Sequence, residues 1–472
     1  MTRKACVVGA GPNGLAAAIV LAQHGLQVEV FEAEPQPGGA ARTLELTLPA
    51  FHHDFGSAVH PLGVGSPFFS SLPLRDYGLE WIHSPAPLAH PLDDGTAVML
   101  ERDLSQTQRA LGSDGTIWRR VMEPFVHHWA EFSSEVLRAL RPIPRHPFLL
   151  GRFALNGLIP ATRFVRRFHD ERTKALFAGI AAHSFLSFDE PLSAAPGVLL
   201  AVAAHAVGWP IPRRGSQSIT TALCRHLSKL GGTVRTRSCV RNLSELQGYD
   251  VTLLDVTPRQ LLQLGSNQLT DRYKRRLEKY RYGPGVFKVD YALNHPIPWQ
   301  ASECSRASTV HVGGSFDEIA MAEDATRHGR HAERPFVLLA QPSLFDSTRA
   351  PEGKHTAWAY CHVPNSSDVD MLGQIERQIE RFAPGFRDCI LARRVFSPSA
   401  LEKMDANLIG GDIGGGILDL RQFLFRPTWR HYATSARDIY ICSSSTPPGG
   451  AVHGMCGYHA AQMALSRLHP RD

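Results

Sequence analysis

The sequence VVGAGPNG occupies residues 7–14 and decides the fold of the N-terminal part of the chain. The apolar run at residues 5–8 is typical of a short buried strand in a parallel sheet. Gly9 permits a tight turn, Gly11 lets the backbone approach a pyrophosphate, and Gly14 lets the next helix pack closely on the strand. The segment therefore predicts the strand, turn and helix that bind a dinucleotide.

The residues that follow complete this unit. Residues 15–24 predict the helix, whose N-terminal amides and dipole favour the charge of a phosphate. Gly25 ends the helix, and residues 26–31 alternate as a second strand. Glu32 comes at the end of that strand, where a carboxylate can accept hydrogen bonds from both ribose hydroxyls. The glycines alone would be weak evidence. Because they are combined with a strand, a helix, a second strand and an acid at the expected spacing, the sequence predicts dinucleotide binding.

The residues after Glu32 distinguish FAD from NAD. Gly38 and Gly39 offer further backbone amides to the second phosphate, and Arg42 can supply a countercharge. An NAD site needs no such extension, so the pattern favours FAD. The alternative for Arg42 is a surface arginine in water, because arginines are mostly exposed.

A second glycine-rich segment, TPPGGAVHG, lies near the other end of the chain at residues 446–454. We expect a short strand at 439–442 before it and a helix from about 453 to 468 after it. The positive end of that helix would face the flavin and stabilise the charge of its reduced, anionic form. Because Cys442 would lie in a buried strand, we expect a core cysteine and noncovalent FAD.

Size and composition limit the other possibilities. A chain of 472 residues should form two or three lobes. The net charge is only +6 and no long run of Lys or Arg occurs, so nucleic-acid binding is not expected. The 8 scattered cysteines fit a reduced protein without a metal site. No signal peptide or membrane-spanning segment is found, so we expect a cytoplasmic protein, with peripheral membrane contact left open.

The middle of the chain predicts a helical cap and a separate sheet. Residues 104–206 are mostly helical in pattern, and residues 148–168 combine bulky apolar side chains with arginines. This stretch predicts a lid over a substrate tunnel, and contact with a membrane surface is the alternative. Strand-like alternation recurs at residues 287–293, 336–340 and 356–363.

With these features the chain resembles the phytoene dehydrogenase-like FAD-dependent oxidoreductases, relatives of carotenoid desaturases and amine oxidases. The resemblance covers nearly the whole chain and is closer to uncharacterised phytoene dehydrogenase-related proteins than to true carotenoid desaturases. It therefore implies the fold and the cofactor better than the substrate. The motifs that carry it, besides Glu32 and the two glycine pairs, are VVGAGPNGLAAA at 7–18, DFG at 54–56, GWP at 208–210, LDVTP at 254–258, GPGVFKVDYAL at 283–293, RAPEGK at 349–354 and PPGGAVHGMCGY at 447–458.

The resemblance implies an α/β fold with a glutathione-reductase-like, Rossmann-type FAD-binding domain, a mixed-sheet substrate domain and a helical cap. The expected domains are residues 1–70, 207–285 and 415–472 for FAD, 71–103 and 286–414 for substrate, and 104–206 for the cap. The residues it places against FAD are Gly9, Gly11, Gly14, Glu32, Gly39, Arg42, Val240, Gly450, Ala451 and Val452. Ala451 stands where the family has a third glycine, and Val240 has core packing as its alternative.

Few residues are candidates for catalysis, because a flavin that accepts hydride needs mainly positioning and an acceptor for the substrate proton. Lys288 is one, since a lysine near the flavin is familiar in the amine-oxidase relatives; an exposed strand lysine is its alternative. His453 would lie at the flavin-facing helix, with helix capping as its alternative. His205, together with His60 and His183, falls where substrate-lobe loops converge, although each is more often structural.

The predicted function is hydride transfer from an apolar or isoprenoid-like substrate to flavin N5, a desaturation or dehydrogenation. Oxygen, a quinone or another acceptor would reoxidise the flavin. An amine oxidase is the first alternative and predicts an aromatic cage, for which Trp358 and Tyr360 are scattered candidates. An isomerase that uses reduced FAD and a noncatalytic flavoprotein that acts as a binding partner are the others.

Overall fold

The computed structural model describes residues 2–139, 143–265 and 267–468 and contains two principal sheets. The strands are β1 (Lys4–Val8), β2 (Gln27–Phe31), β3 (Thr43–Glu45), β4 (His52–Asp54), β5 (Trp81–Ile82), β6 (Ala86–Pro91), β7 (Ala97–Leu100), β8 (Ile211–Pro212), β9 (Thr233–Arg235), β10 (Val251–Leu254), β11 (Gly285–Leu293), β12 (Ala307–Val312), β13 (Val337–Ala340), β14 (His355–Val363), β15 (Ile390–Phe396) and β16 (Ile439–Ile441).

Helices cover the faces of both sheets. They are α1 (Pro12–Gln23), α2 (Pro61–Val64), α3 (Pro67–Ser70), α4 (Leu104–Ala110), α5 (Gly115–His127), α6 (Trp129–Val136), α7 (Pro147–Gly157), α8 (Ala161–Val165), α9 (Glu171–Ala181), α10 (Ala194–Ala206), α11 (Gln217–Lys229), α12 (Pro258–Leu264), α13 (Asp271–Leu277), α14 (Phe316–Arg327), α15 (Leu372–Phe382), α16 (Pro398–Met404), α17 (Leu420–Leu424) and α18 (Met455–Leu468).

The first sheet is parallel and has the strand order β16-β10-β1-β2-β9. Its strands come from three separated parts of the sequence, which supports the FAD-binding domain that we propose from residues 1–70, 207–285 and 415–472. The N-terminal helix begins at Pro12, earlier than the predicted residue 15, because proline is suited to the first turn of a helix. The C-terminal helix begins at Met455, two residues later than expected.

The second sheet is mixed and has the order β15-β11-β14-β13-β12-β6-β7. One face of β11 carries Phe287, Val289 and Tyr291, which pack in an apolar core with α15. The opposite face of the same strand carries Lys288 and Asp290 and points away from that core. Together with the parallel sheet this confirms the predicted α/β class with a Rossmann-type domain and a mixed sheet.

The helices between residues 104 and 206 pack over the second sheet around a core of large aromatic side chains. In α7, Leu150 and Phe153 face an internal cavity, whereas Phe148 and Leu155 are 92% and 77% exposed. This arrangement supports the predicted lid, and contact with a membrane stays a prediction. Within the described part of the chain, no helix combines the length and hydropathy needed to cross a membrane.

A close helix contact joins α1 to α18 and depends on Gly457. A Cβ atom at this position would lie 1.8 Å from the backbone oxygen of Asn13. The two helices can therefore approach this closely only because residue 457 has no side chain.

We expect Gly457→Ala to lower the free energy of unfolding by about 1–3 kcal/mol, because overpacking must push α18 away from α1. The control is Gly151→Ala in α7, an exposed helix position where the added methyl meets nothing within 4 Å. This control should gain about 0.5–1 kcal/mol from the better helix propensity of alanine. Thermal or denaturant unfolding measures both, and equal effects of the two substitutions would contradict the packing argument.

Candidate functional site

The N-terminal turn is built around glycines that approach backbone closely. Gly9 has a φ of 98°, which favours glycine, and a Cβ at Gly14 would lie 2.0 Å from the oxygen of Gly9. The Glu32 carboxylate accepts hydrogen bonds from the amides of Ala10 at 2.7 Å and Glu34 at 2.9 Å. Burial raises the pKa of Glu32, and these amide contacts oppose that shift. The acid is therefore held against the turn, at the end of β2.

Asp255 is a residue of this site that the sequence interpretation missed. It follows β10, the neighbour of β1, and its Oδ2 accepts a hydrogen bond from the Gly14 amide at 2.9 Å. Burial raises its pKa to about 7, although the Gly14 amide opposes this. The signal was present in the motif LDVTP, because ligands bind beyond the carboxyl ends of parallel strands and Asp255 directly follows such a strand.

A single cavity of about 690 Å³ runs from the glycine turn to the second sheet. Four glycine-rich segments border what we call its dinucleotide end. They are residues 11–13, 39–41, 414–416 and 450–453. The two ends of the chain are thus brought to one cavity, while the contribution of residues 414–416 was not predicted.

The C-terminal segment lines this cavity with Gly450, Ala451, Val452 and His453. Ala451 has a φ of 92°, so the alanine adopts the left-handed backbone that suits the glycine found there in the resembled family. His453 accepts a hydrogen bond from the Met455 amide through Nδ1 at 3.0 Å. Burial lowers the pKa of His453 to about 4, so it is neutral and satisfies the first turn of α18.

Six of the predicted FAD contacts do not line the cavity, namely Gly9, Gly14, Glu32, Gly38, Arg42 and Val240. Arg42 is buried, so the alternative interpretation of Arg42 as an exposed surface arginine is wrong. Its side chain donates hydrogen bonds to the carbonyl oxygens of Gly39 at 2.8 Å and Met404 at 2.6 Å. Gly38 packs its backbone against the side chain of Arg42. Val240 packs at the edge of an apolar core. Their contacts with FAD stay predictions.

Arg426 is a buried cation that lines the dinucleotide end. Its guanidinium donates to the carbonyl oxygens of Gly414 at 2.7 Å, Gly416 at 3.0 Å and Ser444 at 2.8 Å. These partners are dipoles and leave its charge available to an anion in the cavity. No pattern in the sequence indicated this residue.

The catalytic candidates separate into those inside and those outside the cavity. Lys288, His60 and His183 line it, as His453 does. His205 lies outside, where its Nε2 accepts a hydrogen bond from Trp118 Nε1 at 3.0 Å. We therefore withdraw His205 as a candidate, because its helix turns this side chain into the core of the cap.

Lys288 lies on the cavity floor and pairs with a buried carboxylate. Its Nζ donates a hydrogen bond to Asp290 on the same face of β11. Burial lowers the pKa of Lys288 and raises that of Asp290 to about 6, while the mutual attraction of the two charges opposes both shifts. Lys288 and Asp290 thus form a buried ionisable pair on the cavity floor. The alternative interpretation of Lys288 as an exposed strand lysine is wrong.

The pKa of Asp255 leads to a pH-dependent prediction. Because its pKa is raised from an unfolded value of about 3.9, Asp255 stabilises the fold at low pH, and this contribution is lost as pH rises to about 7. Asp255→Asn cannot ionise and keeps an acceptor for the Gly14 amide. We expect the thermal midpoint of Asp255→Asn minus that of the unmodified protein to increase between pH 4 and pH 7. Above pH 7 this difference should stay constant.

The matched control for this experiment is Glu352→Gln, which removes an exposed carboxylate. Its thermal midpoint should follow that of the unmodified protein across the same pH range. A constant offset of Asp255→Asn at every pH would show that Asp255 does not titrate in this range.

Comparisons with known proteins agree with this architecture. Residues 7–70 match the family model described as an NAD(P)-binding Rossmann-like domain. The mouse (Mus musculus) pyridine nucleotide-disulfide oxidoreductase domain-containing protein 2 is 26% identical, over 98% of this chain and 93% of the relative. Phytoene dehydrogenase of Streptomyces griseus is 26% identical over 82% and 77%. Phytoene desaturase (neurosporene-forming) of Rhodobacter capsulatus is 23% identical over 96% and 92%.

Solved structures share the fold across the whole chain. An oxidoreductase from Methanosarcina mazei superposes with a TM-score of 0.66 at 16% identity, covering 98% of this chain and 100% of the other. Putrescine oxidase bound to putrescine gives a TM-score of 0.62 at 16% identity, covering 100% of both chains. The resemblance predicted from the sequence is confirmed: the chain is similar in sequence to phytoene dehydrogenases and desaturases, and it shares its fold with putrescine oxidase.

Proposed function

We propose that this protein is an FAD-dependent oxidoreductase that oxidises an apolar, isoprenoid-like substrate by hydride transfer to the flavin. The observation that carries the proposal is the single cavity that joins the dinucleotide end to the floor of the second sheet. Most residues along that floor and under the lid are apolar. Phytoene desaturases among the relatives support the same substrate class.

The residues of the dinucleotide end fit FAD. A side chain at Gly11 or Gly14 would enter the turn, because its Cβ would lie 2.9 Å from Asp255 or 2.0 Å from the Gly9 oxygen. Gly11 and the start of α1 would hold the pyrophosphate, and Glu32 would hold the ribose. Residues 450–452 and Arg426 would face the flavin ring. Bound FAD supplies the hydride acceptor.

Noncovalent binding is the form that we propose. Cys442 is fully buried just after β16, and burial raises its pKa well above the usual value for a thiol. A protonated, enclosed thiol is a poor nucleophile.

Oxidation of a substrate by hydride transfer also releases a proton, and the pair of Lys288 and Asp290 is placed to accept it. Lys288 lines the cavity, and its lowered pKa makes the neutral amine more accessible than in water. This pair would thus take the proton that the substrate releases when bound FAD accepts the hydride. The acceptor that reoxidises the flavin, oxygen or a quinone, stays a prediction.

An amine oxidase is the second candidate, and the fold shared with putrescine oxidase favours it. Its expected aromatic cage would need two rings that face each other across the substrate. Trp358 and Tyr360 instead stack on each other along β14, with ring centroids 5.7 Å apart and planes inclined by 10°, which leaves no room for a substrate group between them. This arrangement supports an apolar floor better than a cage.

The deciding experiment is anaerobic bleaching of the FAD-loaded protein by isoprenoid hydrocarbons and alcohols, by amines and by fatty compounds. We expect the isoprenoids alone to reduce the flavin. Reduction by amines alone would make the protein an amine oxidase. Activity that needs a reductant without consuming it would indicate an isomerase, and no reduction by any compound would favour the noncatalytic flavoprotein.

We expect Lys288→Met to slow substrate-dependent flavin reduction by about 10²–10⁴-fold, because it removes the acceptor for the substrate proton. Bound FAD should be retained, since Lys288 lies on the floor of the second sheet. Stopped-flow absorbance under anaerobic conditions measures the rate.

The control is Lys279→Met, which removes an exposed lysine and should leave the rate unchanged. The double variant Lys288→Met with Asp290→Asn avoids leaving a buried carboxylate unpaired and should show the same slow reduction. An unaltered rate in both Lys288 variants would remove this residue from the mechanism.

A further inference from the structure

One helix of the cap, α7, carries large apolar side chains on both of its faces. Leu150 and Phe153 line the cavity, whereas Phe148 and Leu155 are exposed. A helix that is apolar all round is normally enclosed, because an exposed apolar side chain contributes nothing through burial. The outer face of α7 is therefore suited to a partner that covers it.

The short helix α17 continues this apolar face beside the end of α7. The Leu192 amide donates a hydrogen bond to the Leu158 carbonyl oxygen at 3.2 Å, and the Leu192 side chain packs with Phe423 of α17. The exposed apolar residues of the two helices thus form one surface. We call it the mouth face, and its residues are Phe148, Leu155, Leu158, Leu420, Leu424 and Phe425.

The cavity opens at the mouth face. The large side chains that line the cavity and are also exposed are Leu158, Ile413, Leu420 and Leu424. All four are apolar, so the opening between α7 and α17 is suited to an apolar compound. A partner that covers the mouth face would therefore also cover the entrance of the cavity.

The two segments that form this face carry positive charge and no negative charge. Between Glu135 and Asp170, a stretch that includes α7, the sequence has seven arginines and no acidic residue. Between Asp419 and Asp438, a stretch that includes α17, it has four arginines and no acidic residue. The mouth face is thus complementary to an anionic partner.

Two arginines of these helices are placed to contact such a partner. Arg152 lies one turn after Phe148 on the same side of α7, Arg421 begins α17 with Leu420, and both arginines are exposed. Within the described part of the chain neither forms an ion pair, whereas the exposed Arg213 pairs with Glu80. Arginine side chains can cover apolar surface with their stems while the guanidinium stays at a polar boundary.

An anionic lipid bilayer satisfies both properties of the mouth face. Its acyl chains can take up the apolar side chains, and its headgroup phosphates lie at the level of the arginines. A second copy of this chain fits less well. In a twofold contact the same patch meets itself, so arginines would face arginines without a carboxylate between them.

We propose that the mouth face docks on the surface of an anionic lipid bilayer, with Phe148 and Leu155 inserted among the lipids and the cavity opening toward them. The docking follows from the exposed surface and its charge. Entry of the substrate from the lipid is a consequence that rests on the proposed oxidation of an apolar compound. Such a compound dissolves in the bilayer far better than in water.

The test is flotation of the FAD-loaded protein with vesicles in a density gradient. Vesicles of phosphatidylcholine and phosphatidylglycerol offer an anionic surface, and vesicles of phosphatidylcholine alone offer a neutral one. We expect about tenfold stronger binding to the anionic vesicles at about 0.1 M salt, and loss of that difference at about 1 M salt through screening. Absence of binding to both kinds of vesicle, or equal binding to both at low salt, would overturn the inference.

Substitutions of apolar residues locate the contact. Phe148→Ser with Leu155→Ser should weaken binding to the anionic vesicles by about ten- to hundredfold, because both inserted side chains are lost. Leu420→Ser with Leu424→Ser should weaken it by about tenfold, because both sides of the opening face the lipid. The matched control is Met321→Ser on α14, a helix that does not line the cavity; Met321 is 64% exposed. An equal effect of this control would contradict the assignment.

Substitutions of charge form a second series. Arg152→Gln with Arg421→Gln should weaken binding to the anionic vesicles by about tenfold and leave binding to the neutral vesicles unchanged. The control Lys229→Gln with Lys354→Gln also removes two exposed positive charges and should change neither. If both double variants weaken binding equally, the net charge and not the mouth face attracts the lipid, and the assignment is wrong.

Sedimentation velocity without vesicles tests the other occupant. A dimer that Phe148→Ser with Leu155→Ser converts to a monomer would assign the mouth face to a second copy and overturn the bilayer. The docking and the proposed oxidation fail separately, because flotation needs no substrate. Isoprenoids that bleach the flavin without vesicle binding overturn only the docking, whereas vesicle binding without bleaching by any compound overturns only the oxidation.

Discussion

The close packing of α1 against α18 is the contact on which the rest of the structure depends. Gly457 leaves room for the backbone oxygen of Asn13, which would lie 1.8 Å from a Cβ atom there. Both helices follow glycine-rich turns, so their approach brings residues 11–13 and 450–453 to the same cavity. A dinucleotide bound between segments so far apart in sequence would bind only the folded chain and would stabilise it.

The cavity has chemically different ends because burial acts on different groups in each. At the dinucleotide end, Asp255 and Asp412 have raised pKa values through burial, and the Arg426 guanidinium donates hydrogen bonds to carbonyl oxygens. On the floor of the second sheet, His183 and Tyr360 are neutral, because burial lowers the pKa of His183 to about 3 and raises that of Tyr360. Burial thus disfavours the charged forms of Asp255 and Asp412 at the dinucleotide end and of His183 and Tyr360 on the floor, which suits the floor to a neutral chain.

The dinucleotide turn could be predicted because its parts are close in sequence and each glycine has a local geometric reason. Asp255 was within reach of the same reasoning, since it follows a strand next to β1. The role of Arg426 could not be predicted, because its partners are backbone carbonyl oxygens, which every residue has whatever its side chain. His205 was wrongly interpreted, because the rotation of α10 that directs it toward Trp118 depends on the packing of the whole cap.

By itself, the sequence determined the glycine turns at both ends, the acid after β2 and the alternation that separates Lys288 from the apolar face of its strand. Each of these follows from the spacing of neighbouring residues. Only the tertiary structure decided that Lys288, Tyr360 and His311 lie in one row across the floor, and that His183 meets that row from the cap. The physical reason is that strand register and helix docking are set by contacts between distant segments, which local spacing does not specify.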